Sequence, residues 1–162
     1  MEKQELLEGK KILVVDDEPD ILETVQELLP MCEIATSTMF SQAQDLLQTQ
    51  DFDVAILDIM GVEGFKLLEI AKNRGITAVM LTAHALSPEN AKKSFERGAS
   101  YYIAKEKMAD IKTFLEDVLE AQGKGKSTWW RWLERWAGFY DKKFGPDWKG
   151  TDKDFWEKFT YI

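Results

Sequence analysis

The chain has 162 residues, 44% of them hydrophobic, and a formal net charge of −8. That is room for one ordinary domain plus an appendage, with enough apolar residues for a core, so a disordered chain is excluded. The acidic balance argues against bulk nucleic-acid binding, and no apolar run is long enough to cross a bilayer.

The opening "MEKQELLEGKK" is polar and acidic, unlike a signal peptide with a basic start and an apolar centre. A single cysteine, Cys32, has no internal partner for a disulfide. It falls in a predicted strand and reads as a small buried hydrophobe, the other reading being a reactive thiol. These features point to the cytoplasm. The charge is uneven: residues 1–122 hold 12 Lys/Arg against 23 Asp/Glu, and residues 123–162 hold 9 against 6. All 6 Trp lie between Trp129 and Trp156. We therefore divide the chain into a domain over 1–122, a linker over 123–128 and a Trp-rich helical tail over 129–162.

In chain order, "KKILVVD" is a short apolar run suited to a buried strand. In "PDILETVQELL", Ile21, Leu22, Val25, Leu28 and Leu29 recur at helical spacing behind Pro19, which suits a first helical turn. "CEIATS" alternates like a strand, and "FSQAQDLLQTQ" reads as a helix through Ala43, Leu46 and Leu47. "FDVAILD" is the next buried strand, followed by the helix "GFKLLEIAKNRG", closed by Gly75. "ITAVMLT" is a strand. "SPENAKKSFERG" reads as a helix with Ser87 as N-cap and Pro88 at its first position, ending at Gly98. "ASYYIAK" is the fifth strand, and "MADIKTFLEDVLEAQG" a helix with Met108, Ile111, Leu115, Val118 and Leu119 on one face. Near-continuous apolar strands alternating with amphipathic helices imply a parallel sheet covered on both faces.

In such sheets ligands bind outside the carboxyl ends of the strands. Strand 1 runs into Asp16 and Asp17, strand 3 into Asp58, strand 4 into Thr82 and strand 5 into Lys105. A single polar residue there simply marks where a strand meets water. Three acids, a hydroxyl and an amine converging on one edge are a site. Clustered carboxylates suit a hard divalent cation such as Mg²⁺, which offsets their burial and mutual repulsion. A carboxylate attacking an anionic phosphoryl group faces the same repulsion, and metal plus lysine neutralise it. Thr82 can donate to a phosphoryl oxygen, leaving Asp58 as the nucleophile that forms an acyl phosphate.

Through "ILVVDDE", "DVAILDIM", "VMLTAHA" and "GASYYIAK", residues 11–122 resemble the receiver domain of bacterial response regulators. The resemblance implies a doubly wound (βα)5 flavodoxin-like α/β sandwich of three layers. Its five parallel strands would run in the order 2-1-3-4-5, with the C-terminal helical extension added. It implies that Asp58 is the phosphoacceptor, and that Asp16 and Asp17 are the metal-binding pair, Asp17 directly and Asp16 partly through water. Asp58 and the backbone carbonyl of Met60 would complete the Mg²⁺ ligands. Thr82 and Lys105 resemble the phosphoryl-binding pair, and Tyr102 the aromatic switch that turns inward when the threonine moves. Glu18 reads as a solvated neighbour rather than a ligand. The implied partner is a sensor histidine kinase or phosphotransfer protein. The chain would then be no enzyme beyond its own phosphotransfer and autodephosphorylation.

Two features depart from the family. "DIMGVEG" is shorter than the usual loop and lacks its proline, and Glu106 follows Lys105 where proline is usual. Both bear on phosphorylation rate and metal geometry, and neither removes a reactive group. Met60 and His84 lie two residues beyond Asp58 and Thr82, positions that tune hydrolysis in the family. His84 either modulates dephosphorylation or stands by at the pocket rim; the phosphoryl-donating histidine belongs to the partner kinase.

In the tail, "GKST" resembles the end of a P-loop, but the first motif glycine would fall at Glu120, inside a helix. Trp129, Trp132, Leu133, Trp136 and Tyr140 form an apolar stripe at spacings of three and four. "GPDW" breaks this helix, and "TDKDFWEKF" reads as a second short one with Thr151 as N-cap and Asp154 in its first turn. So aromatic a surface must be covered. It can pack on its own receiver, form a homodimer or partner-docking face, or lie at a membrane surface, where its interleaved acids are unfavourable. The tail is too short for a winged-helix output domain and shows no recognition-helix pattern, so nucleic acid is not the expected partner.

Three functions follow. The first is a phosphorylation-dependent switch in which the surface around helix 4, strand 5 and helix 5 changes with Thr82 and Tyr102. The second is a phosphorylation-independent interaction or dimerisation module on a receiver scaffold. The third, a hydrolase with an aspartyl-phosphate intermediate, lacks the second aspartate two residues after Asp58 that such chemistry usually needs.

Overall fold

A computed structural model of the chain describes residues 6–83, 88–124, 128–150 and 155–156. Five strands, β1 (Lys11–Val15), β2 (Glu33–Ser37), β3 (Val54–Asp58), β4 (Thr77–Thr82) and β5 (Tyr101–Ala104), form one parallel sheet in the order β2-β1-β3-β4-β5. The helices are α1 (Pro19–Leu28), α2 (Phe40–Thr49), α3 (Gly64–Asn73), α4 (Pro88–Glu96), α5 (Ile111–Gly123) and α6 (Thr128–Phe144). β3 is buried along its whole length and β1 along all but its first residue, as their unbroken aliphatic runs require.

The register brings the strand ends together. Val15 pairs with Leu57, Asp58 with Leu81, and Thr82 with Ala104. Asp16, Asp58, Thr82 and Lys105 therefore leave the sheet on one edge, at the strand-order reversal beside β1 and β3.

The structure differs from the sequence reading at several boundaries. Cys32 precedes β2 and is half-buried, its thiol donating to the Leu7 carbonyl at 3.3 Å. Lys105 opens a 3-10 turn over Lys105–Asp110 instead of closing β5, and α5 begins at Ile111, three residues after the expected Met108. Lys105 therefore sits just past the carboxyl end of β5. The Lys105–Glu106 bond is trans. The short loop after Asp58 is tight: Glu63 adopts φ 53° at the start of α3. Gly64 lies so close to the Asp58 carbonyl that no Cβ would fit. Gly75, at φ 72°, follows α3 as expected.

The N-cap roles of Ser87 and Thr151, and Asp154 beside the latter, lie outside the described residues. Lys124 is the one described residue between α5 and α6. α6 packs on the chain's own β5 and α5, and its stripe Trp129, Trp132, Leu133, Trp136 and Tyr140 is buried in the same core as the sheet. β5 is the last strand of the sheet, so one side has no strand partner. The tail indoles cover that side: Trp129 Nε1 donates to the Ala99 carbonyl at 2.6 Å and Trp132 Nε1 to the Tyr102 carbonyl at 2.9 Å. Trp136 Nε1 reaches the Tyr101 hydroxyl at 3.3 Å. The opposite charges of tail and domain meet in Arg135–Asp117, a two-bond pair at 2.7 and 3.1 Å, and in Lys143–Glu106 at 3.3 Å. Helix α6 ends at Phe144, and Gly145 turns the chain at φ 87°. Trp156 lies back against Trp132, their ring centroids 5.6 Å apart.

Candidate functional site

A cavity of about 400 Å³ opens at the carboxyl edge of the sheet, lined by Asp17, Glu18, Asp58, Met60, Gly61, Thr82, Ala83 and Lys105. Asp58 ends β3 and is nearly buried, its Oδ2 accepting the Gly61 amide at 3.1 Å. Asp16 is fully buried behind the cavity. Its Oδ1 accepts the Glu18 amide at 2.9 Å. Its Oδ2 meets Lys105 Nζ at 2.8 Å and has no hydrogen-bond partner beyond that ion pair. Lys105 also reaches Glu18 Oε1 at 3.0 Å and Asp58 Oδ1 at 3.6 Å. Thr82, 8% exposed, ends β4 across the cavity. Met60 projects its side chain, 81% exposed, at the mouth. His84 lies outside the described residues.

Among the described residues, the electrostatics are those of crowded acids around one base, Lys105. Burial pushes both Asp16 and Asp58 above the usual carboxylate range, and Lys105 opposes the rise in each. Asp17 adds repulsion at Asp58, and Asp58 adds it at Asp16. Burial alone would lower the Lys105 ammonium, but its bonds to Asp16 and Glu18 outweigh that and hold it above its ordinary value.

The residues fit a hard divalent cation. Ligand oxygens of Asp16, Asp17 and Glu18 lie within 4.8 Å of one another. A Cβ on Gly61 would strike the Asp17 carboxylate and come within 2.6 Å of Asp58 Oδ2, so these two acids converge over bare backbone. An all-oxygen set of this kind is the chemistry Mg²⁺ prefers. Sequence reasoning missed the role of Glu18. It is exposed, as expected of a solvated neighbour, yet it grips Lys105 from 87 positions away. The "DDE" run was legible, but nothing local marks which of its acids meets the lysine.

Tyr102 lies behind Thr82, fully buried on β5. Burial pushes its phenol well above the usual range, Thr82 being the polar neighbour that opposes the shift. No hydrogen bond of good geometry forms at the Tyr102 hydroxyl.

Comparison with known proteins agrees with this architecture. The response regulator receiver domain family matches residues 12–116, and the chain belongs to it. A CheY-like receiver domain protein from Methanospirillum hungatei JF-1 superposes with a TM-score of 0.65 at 31% identity, over 72% of this chain and 98% of that one. The heme response regulator HssR of Staphylococcus haemolyticus is 37% identical over 101 residues, 59% of this chain and 44% of its own length. The Arabidopsis thaliana two-component response regulator ARR18 is 36% identical over 103 residues, 60% of this chain and 16% of its own length. The chain thus spans less than half the length of these two curated relatives. Membership in the family implies phosphoacceptor signalling in a two-component system. No helix among the described residues is long and apolar enough to cross a membrane.

Proposed function

We propose that the chain is a phosphorylation-dependent switch that accepts a phosphoryl group on Asp58 from a histidine kinase or phosphotransfer protein. The observation that carries this reading is the meeting of Asp58, Thr82, Lys105 and Asp17 in one cavity at the carboxyl edge of the sheet. An Asp58 carboxylate oxygen attacks phosphorus, the P–N bond to the donor imidazole breaks, and an acyl phosphate remains. Lys105, 3.6 Å from Asp58, neutralises charge on the incoming group, and the Thr82 hydroxyl donates to one of its oxygens. Asp16, Asp17, Asp58 and the Met60 carbonyl would hold Mg²⁺, which supplies further positive charge when bound. Met60, exposed at the cavity mouth, is placed to tune the approach of the hydrolytic water. The activity is self-modification rather than turnover of a separate substrate, and a cytoplasmic setting suits it. The tail serves packing within the chain or contact with a protein partner, not DNA.

The test is labelling by a small acyl-phosphate donor with Mg²⁺, read by intact mass. Wild type gains one phosphoryl group and Asp58→Asn gains none; continued labelling of the variant sinks the assignment. The tight "DIMGVEG" loop, with Glu63 at φ 53°, favours a second reading, an interaction module independent of phosphate. That reading requires wild type to take up neither Mg²⁺ nor phosphate.

A further inference from the structure

Among the described residues, four buried side-chain polar atoms lack a hydrogen-bond partner. One is Asp16 Oδ2, which has its ion pair with Lys105. The other three are Ser94 Oγ on α4, the Tyr102 hydroxyl on β5 and the Tyr140 hydroxyl on α6. Each of these three residues is fully buried. A buried hydroxyl without a partner costs on the order of 1–3 kcal/mol, so such groups need a reason. They sit on the three elements that meet at the free side of β5.

Tyr102 joins this junction to the cavity. The register pairs Met80 with Tyr102 and Thr82 with Ala104, which puts Tyr102 and Thr82 on the same face of neighbouring strands. Trp132 fixes the Tyr102 backbone through the indole bond to its carbonyl, and its ring packs on Tyr140 with centroids 5.4 Å apart. Trp132 and Tyr140 are both fully buried, as is Tyr102, so the junction is close-packed.

We propose that Trp132 and Tyr140 are positioning residues for phosphoryl binding at Asp58: they close behind Tyr102, hold it against Thr82, and so favour the threonine position that engages the phosphoryl group. This rests on the phosphoacceptor reading above and deepens it. The coupling is reciprocal, so a phosphoryl group on Asp58 tightens the seat of α6. Tyr102 is tied at its backbone by the Trp132 indole, while its hydroxyl has no hydrogen-bond partner and is free to follow Thr82.

The experiment is a ¹⁹F NMR titration of the 162-residue chain with beryllofluoride and Mg²⁺, which reads the bound fluorides directly. Wild type must bind, and Asp58→Asn must not; failure here removes the phosphoacceptor reading itself. Given wild-type binding, Tyr140→Ala should weaken beryllofluoride roughly fivefold or more. Mg²⁺ affinity measured alone should be unchanged. In a Tyr102→Ala background, adding Tyr140→Ala should have no further effect, whereas a purely structural loss would persist. Trp132→Phe keeps an aromatic ring and removes the donor to the Tyr102 carbonyl. It should shift binding the same way by a smaller factor, and it serves if Tyr140→Ala does not fold. Unchanged beryllofluoride affinity in the folded variants, or an undiminished Tyr140→Ala effect without Tyr102, overturns the proposal.

Discussion

Two edges of one sheet are built on opposite principles. At the carboxyl edge, Asp16, Glu18 and Asp58 crowd around Lys105, with Asp17 lining the same cavity, and burial raises two of the acids against their ionised forms. At the free side of β5, indoles and phenols pack ring to ring, with Trp129–Trp132, Trp132–Tyr140 and Tyr140–Trp148 centroids 5.0, 5.4 and 4.8 Å apart. The first edge is stressed by like charges and so is responsive to a ligand that relieves them. The second is held mainly by apolar burial and dispersion, which are insensitive to charge, with the ion pairs Arg135–Asp117 and Lys143–Glu106 added to them. The chain places its chemistry where it is least settled and its rigidity beside it. Tyr102 is the residue shared by both.

The comparison can be broken most severely at Trp132. Trp132→Ala removes a fully buried ring and its bond to β5, and should cost about 3–5 kcal/mol in denaturant unfolding. A cost below about 1 kcal/mol would make α6 an annex rather than part of the core. At the other edge, Gly61→Ala adds a methyl where Asp17 and Asp58 converge. It should lower Mg²⁺ affinity roughly tenfold or more, read by calorimetry, while the melt changes little.

Smaller effects sharpen the contrast. Arg135→Ala removes a two-bond ion pair from nearly buried Asp117; with the arginine 37% exposed, the loss should be about 1 kcal/mol and should shrink in high salt. Asp58→Asn should melt above wild type at neutral pH without Mg²⁺. The Asp58 pKa is raised in the fold, so the carboxylate favours folding only when protonated, below its ordinary 3.8. That support is lost as pH rises through the folded value, so the gap between the two proteins should close as pH falls toward 4. Thermal melts across that range check the sign.

Much of the carboxyl edge was legible because a polar residue closing an aliphatic run is conspicuous. "VAILD" and "TAVMLT" needed only the rule that such strands are parallel and open to ligands at their carboxyl ends. Lys105 was found by the same rule, although the structure seats it in a 3-10 turn just past β5. Glu18 and Asp117 were not legible, for a shared reason. Each is a charged residue whose local surroundings read as solvent, and each meets its cation through a contact distant in sequence. Asp117 sits beside the apolar stripe of α5 and becomes buried where α6 lies against it. The tail stripe was read correctly as a surface needing cover, yet pattern alone left open what covers it. The described residues place it on the chain's own β5.

The indole bonds at and just before β5 also have a consequence for synthesis. Trp129 and Trp132 reach carbonyls 30 positions earlier in the chain. Once β5 has left the ribosome's exit tunnel it can join its sheet while α6 is still inside, so its outer carbonyls are bare. During that interval a second nascent chain can add a strand where an indole should later sit. Slowing translation after residue 123 should therefore raise the aggregated fraction of newly made protein, while leaving the finished molecule unaffected.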